Sequence, residues 1–296
     1  MSPNRSDSPA LLPVGCARPG PMSQKLFDRM SRFVYEQVGI KLPGSKRVML
    51  EARLQKRLRV LGMASYDQYV DYLFTEKGFD EELRNFIDVV TTNTTEFFRE
   101  PRHFDYLTST LLPGWTSEAV RLRAQRPLRV WSAGCSIGME PYTLAMVLRD
   151  YQERTAGFSF SILATDISSR ALQQAVRAVY EEERVHNVPD QFRKRYLLRS
   201  RDRSRRLVRI GPELRSAVHF ERLNFMDPFS FSEPMDIIFC RNVIIYFDKP
   251  TQEGLFSRFC QCLRPGGHLF IGHSESLTGM ALPLEQVAPT VYRRTR

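Results

Sequence analysis

A strand-like segment that leads through a glycine-containing turn into a helical pattern constrains the fold of this chain most. Residues 130–142 read VWSAGCSIGMEPY, with Gly134 and Gly138 in the turn. Residues 161–168, SILATDIS, form a second strand-like segment that contains Asp166 near its end. A Rossmann-like βαβ unit brings such a turn and such a carboxylate to one edge of a parallel sheet. The two segments therefore predict an α/β fold with a ligand site at the carboxyl ends of the strands.

The spacing of the two glycines indicates the kind of ligand. Gly134 and Gly138 are spaced GxxxG, which does not meet the GxGxxG fingerprint of dinucleotide sites. A ligand that has a ribose but no pyrophosphate, such as S-adenosylmethionine, fits this departure better than NAD does. Asp166 is the candidate for binding the ribose hydroxyls, because a carboxylate at the tip of the second strand serves that purpose in this fold.

The hydrophobic pattern predicts how the first part of the chain is organised. Residues 1–22 contain five prolines and few apolar side chains, which favours a disordered tail. Residues 23–95 show four segments of helical periodicity, which predict a small helical domain. Residues 96–127 form a linker that contains a helix of about Arg102–Leu112, expected to stop at Pro113-Gly114.

Residues 128–296 alternate between strand and helix patterns, which predicts a mainly parallel sheet with helices on both faces. The strands are expected at Leu128–Ala133, Phe160–Thr165, Val218–Asn224, Met235–Arg241 and His268–Gly272. The helices are expected near Pro141–Arg154, Ser168–Tyr180 and Thr251–Leu263, with LRPGG (263–267) as a helix stop. A β-hairpin insertion is expected at about 196–210, and a final pair of strands around Ala288-Pro289.

Composition bounds the functional class. The chain has 296 residues, 42% of them hydrophobic, with no apolar run near the ~20 residues that span a bilayer and no signal-like start. We therefore expect a cytoplasmic protein without direct membrane insertion.

The five cysteines show no metal-binding spacing, so no metal is expected, and Cys135 and Cys240 are interpreted as packing residues. Much of the net charge of +10 lies in the arginine-rich run Arg193–Arg209, which suits an acidic partner or a solvated hairpin.

Five motifs, in order along the chain, carry a resemblance to a known family: TNTTEFFRE, SAGCSIGMEPY, ATDIS, FERLNFMD and FCRNVIIYFDK. Together they resemble the chemotaxis receptor glutamate O-methyltransferases (CheR-type chemotaxis protein methyltransferases) over about Met22–Tyr292. The resemblance implies a Rossmann-like methyltransferase fold with a small N-terminal helical domain and a β-hairpin insertion. It also implies methyl transfer from S-adenosylmethionine to glutamate side chains of chemoreceptors, with S-adenosylhomocysteine as the product.

The resemblance assigns roles to individual residues. Arg99 is implied to hold the incoming carboxylate and to contact the cosubstrate, and Tyr246 to lie at the reacting centre. The other implied cosubstrate contacts are Asn93, Thr95, Gly134, Glu140, Asp166, Asn224, Phe225, Arg241 and Asn242.

Structural roles are open for several of these residues. Arg99 could bond to helix-terminal carbonyls, and Asn93 and Thr95 could cap a helix. Phe225 and Tyr246 could be core aromatics.

Basic residues of the second helix are implied to dock the acidic methylation helices of receptors. These residues are Arg53, Arg57 and Arg59, and their alternative is an ordinary solvated helix face. In some family members the hairpin binds a tether at the receptor C-terminus. The tip here, RSRDRSRR (199–206), lacks the glycines expected of a tethering hairpin and puts that role in doubt. The resemblance further implies a monomer that is recruited to membrane receptor arrays.

Two other functions compete with this interpretation. A nucleic-acid methyltransferase would suit the basic composition, but exocyclic-amine enzymes carry an Asn/Asp-Pro-Pro-aromatic run where this chain has Arg241-Asn242-Val243-Ile244. Cytosine-C5 enzymes carry a Pro-Cys nucleophile, whereas Cys240 follows Phe239. We therefore expect no nucleic-acid substrate. A non-catalytic sensor that binds S-adenosylmethionine is the second competitor.

Overall fold

The computed structural model describes residues 19–117 and 126–295. Their contacts divide the chain into two compact units. The first comprises the described residues up to Phe33 together with Leu42–Val90, and the second comprises Val34–Lys41 and the described residues from Thr91 onward. Residues 1–18 of the expected tail and Cys16 lie outside the described part. Met22, at the end of that expected tail, is buried, and its N–H donates to Glu51.

The four predicted helices are present. They are α1 (Gln24–Val38), α2 (Arg47–Leu61), α3 (Tyr66–Leu73) and α4 (Glu76–Val90), with a 3₁₀ turn at Gly44–Lys46. The stripe of Leu50, Leu54 and Leu58 is buried on one side of α2, as i, i+4 spacing requires. Gly62 ends α2 in a left-handed conformation (φ 68°), which glycine adopts without the strain of a Cβ atom.

The helix of the linker continues further than expected. It consists of α5 (Arg102–Tyr106), a π turn (Leu107–Leu111) and α6 (Leu112–Thr116), so the predicted stop at Pro113-Gly114 is wrong. Pro113 lies in the first turn of α6, where its missing N–H costs little, and the wider π turn comes immediately before it.

The second unit is built on a seven-stranded sheet of order β6-β2-β1-β7-β8-β10-β9. Strands β6, β2, β1, β7 and β8 are parallel, whereas β10 and β9 form an antiparallel edge. The strands of this sheet are β1 (Leu128–Ala133), β2 (Phe160–Asp166), β6 (Val218–Arg222), β7 (Met235–Cys240), β8 (Leu263–Ile271), β9 (Leu284–Ala288) and β10 (Val291–Arg294). The remaining helices are α7 (Met139–Arg154), α8 (Ser169–Arg177), α9 (Asp190–Tyr196), α10 (Pro212–Arg215) and α11 (Lys249–Cys262).

Two apolar clusters cover the sheet. Val130 of β1 belongs to one cluster and its neighbour Trp131 to the other, so the clusters lie on opposite faces because side chains alternate along a strand. Trp131 is fully buried, contacts several phenylalanine rings edge-on, and donates its indole N–H to Thr165 at 2.9 Å. The predicted Rossmann-like architecture is confirmed. Among the described residues no helix has the length and apolar character needed to cross a bilayer.

The structure corrects the limits of one predicted helix and one predicted strand. The helix expected to reach Tyr180 ends at Arg177, and β3 (Val179–Glu181) pairs with β5 (Leu207–Ile210). Strands β4 (Leu197–Arg199) and β5 form the expected hairpin, and β3 extends it into a three-stranded antiparallel sheet of order β3-β5-β4. In addition, β8 begins at Leu263, so LRPGG lies within the strand, where the pairing register with β7 shifts.

Candidate cosubstrate and acceptor site

The turn after β1 is held against the neighbouring strand by backbone hydrogen bonds. The N–H groups of Gly134 and Cys135 donate to the Thr165 carbonyl at 2.8 and 2.9 Å. Gly134 has a φ of 84°, and a Cβ atom there would lie 2.5 Å from Cγ2 of Val243. Glycine is therefore required at this position, both for the backbone conformation and for the close approach of the turn that follows β7.

Asp166 lies at the end of β2 with 8% of its surface exposed. Its Oδ2 accepts the N–H of Ser136 at 2.7 Å, and its Oδ1 accepts the N–H of Ser168 at 2.8 Å. The carboxylate therefore fixes the turn after β1 and begins the turn that leads to α8. A contact between this carboxylate and a ribose stays a prediction.

Glu140 and Arg241 form a buried ion pair at the carboxyl ends of β1 and β7. Nε of Arg241 donates to Oε2 of Glu140 at 2.7 Å, and Oε1 of Glu140 accepts the hydroxyl of Ser132 at 2.7 Å. The Arg241 side chain is only 2% exposed, and its Nη1 donates to the Arg99 carbonyl at 2.6 Å. The structure therefore joins the start of α7, the end of β7 and the segment before α5 through one guanidinium group.

The segment TNTTEFFRE (92–100) lies against this network. The Asn93 carbonyl accepts the hydroxyl of Ser136 at 3.1 Å, and Phe97 is fully buried beside Tyr180. Phe98 and Glu100 both adopt left-handed backbone conformations, with φ of 53° and 56°. Positive φ is costly for residues other than glycine and is concentrated at functional sites, so this segment is a strong candidate for a ligand contact.

Two predicted site residues carry polar groups that the protein leaves available. The Arg99 guanidinium, half-buried, has one long contact of 3.5 Å to the Thr94 carbonyl and no carboxylate within 4 Å in residues 19–117 and 126–295. The half-buried Tyr246 follows β7 in a 3₁₀ turn (Ile244–Tyr246), and in the same described ranges its hydroxyl has no hydrogen-bond partner. A cation with one long internal contact and a hydroxyl without a partner in the described ranges are suited to an incoming anion.

Three other predicted residues have internal contacts. The Asn224 amide donates to the Gln37 carbonyl at 2.9 Å and to Asp227 at 3.3 Å, so both of its N–H groups are already used. Phe225 is 8% exposed and packs edge-on against Trp131, as its core alternative predicted. Thr95 is half-buried, and its carbonyl lies 3.5 Å from Arg184. Contacts of these residues with a cosubstrate stay predictions.

Asn242, two residues after the end of β7, has an unusual backbone conformation and a buried side-chain oxygen without a partner among the described residues. Its backbone is left-handed, with a φ of 59°, and its N–H donates to the Glu275 carboxylate at 3.0 Å. Its Oδ1 is buried and has no hydrogen-bond partner among the described residues. An unpaired buried acceptor is costly, so a donor from a ligand would relieve it.

The sequence reasoning missed four residues that organise the site: Ser132, Ser136, Glu100 and Glu275. Ser132 and Ser136 lie within the motif SAGCSIGMEPY, and Glu100 ends the motif TNTTEFFRE. Glu275 follows the predicted strand His268–Gly272 by three residues, so proximity to a motif or a strand end was the available signal.

The buried charges of the site favour a cationic ligand. Glu100, Glu140 and Asp166 are about nine-tenths buried, whereas Arg241 is the buried cation that contacts Glu140 and lies 3.5 Å from Glu100. This excess of carboxylates, together with the unpaired Asn242 Oδ1, fits the sulfonium and ammonium groups of S-adenosylmethionine.

One group of described side chains has ligand atoms close enough together to hold a metal ion: Glu100, His103 and His273. Nδ1 of His103 lies 3.3 Å from Nη1 of Arg241 and accepts a hydrogen bond from it, since a guanidinium only donates. Nε2 of His103 then donates to Thr290, whose own hydroxyl donates to the Pro289 carbonyl. The guanidinium of Arg241 therefore already takes the place that a metal ion would occupy, so this group of side chains fits a metal poorly.

The two buried thiols beside the site are not nucleophiles. Burial raises the pKa of Cys135 and of Cys240 well above the usual range, and nearby carboxylates raise it further. Both thiols are therefore neutral, and their interpretation as packing residues is consistent with this.

Two of the three arginines expected to dock a partner have structural contacts within the helical unit. Arg57 binds Glu82 through two hydrogen bonds of 2.7 and 2.6 Å, and Glu82 is 1% exposed. Arg53 donates to the carbonyls of Val89 and Val90 at the end of α4. Arg59 is exposed in the last turn of α2. The alternative of a solvated face is therefore wrong for Arg53 and Arg57, and docking by this helix stays a prediction.

A cavity of about 370 Å³ lies at the amino ends of β7 and of the paired part of β8, opposite the network described above. Trp115, Asp236, Arg264 and His268 are among its lining residues. Asp236 is bound by Arg126 through two hydrogen bonds of 2.7 Å. This cavity does not coincide with the predicted site, which lies at the carboxyl ends of the strands.

Comparisons with known proteins find similar sequences over most of the chain. Residues 93–293 match the family model described as "CheR methyltransferase, SAM binding domain", and residues 25–91 match "CheR methyltransferase, all-alpha domain". The chain is similar to the chemotaxis protein methyltransferase of Borreliella burgdorferi, with 40% identity over 90% of this chain and 93% of the relative. The corresponding protein of Klebsiella aerogenes is 38% identical over 93% and 91% of the two chains. The Escherichia coli protein is 37% identical over 92% and 91%.

Two buried histidines are expected to make the stability of the protein depend on pH. Burial, assisted by the nearby Arg241 cation, lowers the pKa of His103 to about 4, and burial with Arg293 does the same for His268. Between pH 6.5 and 4 the unfolded chain takes up protons that these folded histidines do not, so the free energy of unfolding falls as the pH falls. Each histidine is expected to contribute up to ~3 kcal/mol of this loss.

Urea unfolding at several pH values measures this effect. We expect His103→Gln and His268→Gln each to flatten the dependence in this window, whatever their effect on stability at pH 7. His219→Gln, which changes a histidine with 73% of its side chain exposed, is the matched control. Equal slopes for all four proteins would contradict the assignment.

Proposed function

The chain belongs to the CheR methyltransferase family, and on that premise we propose that it transfers a methyl group from S-adenosylmethionine to glutamate side chains of chemoreceptor cytoplasmic domains. The products are glutamate methyl esters and S-adenosylhomocysteine. The observation that carries this proposal is a buried, acid-rich site with the Arg99 guanidinium beside it, which contacts no carboxylate of the described residues. The first suits a cationic methyl donor, and the second suits a carboxylate acceptor.

Binding of the cosubstrate is proposed to use the carboxyl edge of the sheet. Glu140 is in position to accept N–H groups of the amino-acid part, because its carboxylate is held by Ser132 and Arg241 and cannot rotate away. Asp166 is proposed to bind the ribose hydroxyls, and the Asn242 Oδ1 to accept a donor from the ligand. Asn93 and Thr95 are proposed to line the site from the segment that bonds to Ser136.

The adenine part is proposed to lie near the end of β6. The Leu223 N–H donates to the Asp166 carbonyl at 3.1 Å, which supports a position of the Asn224-Phe225 pair beside the proposed ribose site. Because the Asn224 side chain is committed to Gln37 and Asp227, we propose that it fixes the shape of this turn. Phe225 then supplies an apolar surface near the base.

The reaction needs little acid–base chemistry. A glutamate has a reference pKa of ~4.3, so its carboxylate is ionised at neutral pH and can attack without a general base. S-adenosylmethionine supplies an electrophilic methyl group on a sulfonium. Arg99 is proposed to bind and orient the incoming carboxylate, and the Tyr246 hydroxyl to align it. Rate enhancement then comes from in-line positioning and from loss of water around the carboxylate.

The proposed partners are the methylated helices of chemoreceptors, which are acidic because they carry the substrate glutamates. The exposed Arg59 at the end of α2 is the proposed docking contact, while Arg57 and Arg53 support the helix that presents it. We propose that the protein acts as a monomer in the cytoplasm and is recruited to receptor arrays.

A tether at the receptor C-terminus is only weakly supported. Exposed arginines of the insertion pair with acids that follow β3: Arg199 of β4 with Glu182, and Arg206, just before β5, with Glu183.

The proposed reaction is tested by incubating the protein with labelled S-adenosylmethionine and three acceptors: receptor cytoplasmic fragments, DNA and RNA. We expect label in the receptor fragment alone, released as methanol by mild alkali because carboxyl methyl esters are base-labile. Alkali-stable label, or label in the nucleic acids, would contradict the proposal. Tight binding of the cosubstrate without transfer to any acceptor would favour the sensor alternative.

Arg99→Ala tests the role of the Arg99 guanidinium. We expect kcat to fall by about 10²–10³, the usual loss when one charge-stabilising donor is removed, while cosubstrate affinity changes much less. Single-turnover transfer and calorimetry with S-adenosylhomocysteine measure the two effects. Arg102→Ala, which changes an exposed arginine three residues away, serves as the control. Unchanged turnover in Arg99→Ala would remove this residue from the mechanism.

A further inference from the structure

The carboxylate of Glu275 is buried between the ends of two parallel strands. After β8 ends at Ile271, the chain makes a turn in which the Glu275 N–H donates to the Gly272 carbonyl at 2.9 Å. This turn folds the side chain back over the sheet, where only 6% of the residue is exposed. Oε2 accepts the N–H groups of Gly272 at 2.6 Å and of Asn242 at 3.0 Å, and Oε1 accepts that of Ile244 at 3.1 Å.

This arrangement replaces the missing continuation of the sheet. The last pair between β7 and β8 is Cys240 with Ile271, so the N–H groups that follow on both strands have no partner in the ladder. Buried N–H groups without an acceptor are costly, and the carboxylate accepts that of Gly272 after β8 and those of Asn242 and Ile244 after β7. The space is tight, because a Cβ atom at Gly272 would lie 2.6 Å from Nδ2 of Asn242. The side chain of Asn242 is therefore confined between the two strand ends.

The charge of Glu275 is stabilised by backbone dipoles. No cationic side chain of the described residues lies within ion-pair distance of its carboxylate. Instead, the left-handed Asn242 (φ 59°) turns successive N–H groups toward one point, which forms a backbone nest for an anion. Burial raises the pKa of Glu275, while the bonds from Gly272, Asn242 and Ile244 oppose that rise.

We propose that Glu275 is a positioning residue of the methyl-transfer site. Its carboxylate fixes the turn Asn242–Ile244 and thereby holds the Asn242 amide in the cosubstrate pocket and Tyr246 at the reacting centre. This assignment rests on the proposed function, which gives Asn242 and Tyr246 their roles in cosubstrate binding and at the reacting centre. Glu275 acts through the backbone and touches neither substrate.

The path from Glu275 to Tyr246 is short. The Ile244 N–H that it binds begins the 3₁₀ turn Ile244–Tyr246, and the Tyr246 N–H donates to the Val243 carbonyl at 3.3 Å. Displacement of the turn at Ile244 therefore moves the tyrosine directly. The bond from the Asn242 N–H to Glu275 also fixes the backbone that carries the Asn242 Oδ1, which is buried without a hydrogen-bond partner among the described residues. One carboxylate thus controls two proposed site residues.

Glu275→Gln is the primary test. A glutamine keeps the shape, but its NH₂ group faces N–H donors, so either Ile244 or the pair Asn242 and Gly272 loses its acceptor. In the full chain without ligand we expect amide exchange at the affected positions to accelerate at least tenfold. We expect the Kd for S-adenosylhomocysteine to rise about tenfold and kcat for transfer to fall. Glu275→Asp, which keeps the charge on a shorter side chain, should restore part of each quantity.

Glu285→Gln is the matched control, since Glu285 lies on β9 with 55% of its side chain exposed. If Glu275→Gln lowers the melting temperature but leaves the Kd and the amide exchange of the turn unchanged, the residue is only structural and the proposal is overturned. If Glu275→Gln does not fold, the same comparison is made with Glu275→Asp, for which an unchanged Kd is equally contradictory. If the wild-type protein methylates no receptor glutamate while exchange and Kd respond as expected, the proposed function fails and the positioning role stands.

Discussion

The guanidinium of Arg241 is buried at the carboxyl end of β7, and three other parts of the chain contact it: Glu140 of α7, the Arg99 carbonyl, and His103 of α5. A guanidinium removed from water is stable only when its N–H groups are bonded and its charge is balanced. Because all three contacts come from different segments, loss of any one leaves a buried cation under-bonded. The segment before α5, the start of α7 and the end of β7 therefore hold one another in place.

The distribution of charge around this group separates two kinds of ligand. Buried carboxylates outnumber the buried cation inside the network, so the interior favours a positive group. Arg99 contributes only its backbone carbonyl to that network and leaves its own guanidinium at the edge. A cationic donor inside and an anionic acceptor at the edge are the two reactants that the proposed methyl transfer brings together. The left-handed residues Phe98 and Glu100 flank Arg99, whose carbonyl accepts from Arg241.

Sequence patterns predicted those parts of the fold that depend on local signals. β1 was predicted residue by residue, because an apolar run lies between Pro127 and Gly134. Patterns failed where distant contacts decide the outcome: β3 forms because β5 pairs with it. Likewise, the basic pattern of α2 does not reveal that Arg57 binds Glu82 of another helix. The roles of Glu100 and Glu275 also depend on partners that are far away in the sequence, so only the structure brings them into the site.

A crystal structure of the full chain with S-adenosylhomocysteine is the most direct test of the buried network as a cosubstrate site. We predict electron density at the carboxyl ends of β1 and β7, with the ribose at Asp166 and the amino-acid part at Glu140, while the bond between Arg241 and Glu140 is kept. Density in the cavity beside Trp115 and Arg264 would contradict it. Binding of S-adenosylhomocysteine that breaks the contacts of Arg241 would contradict it as well.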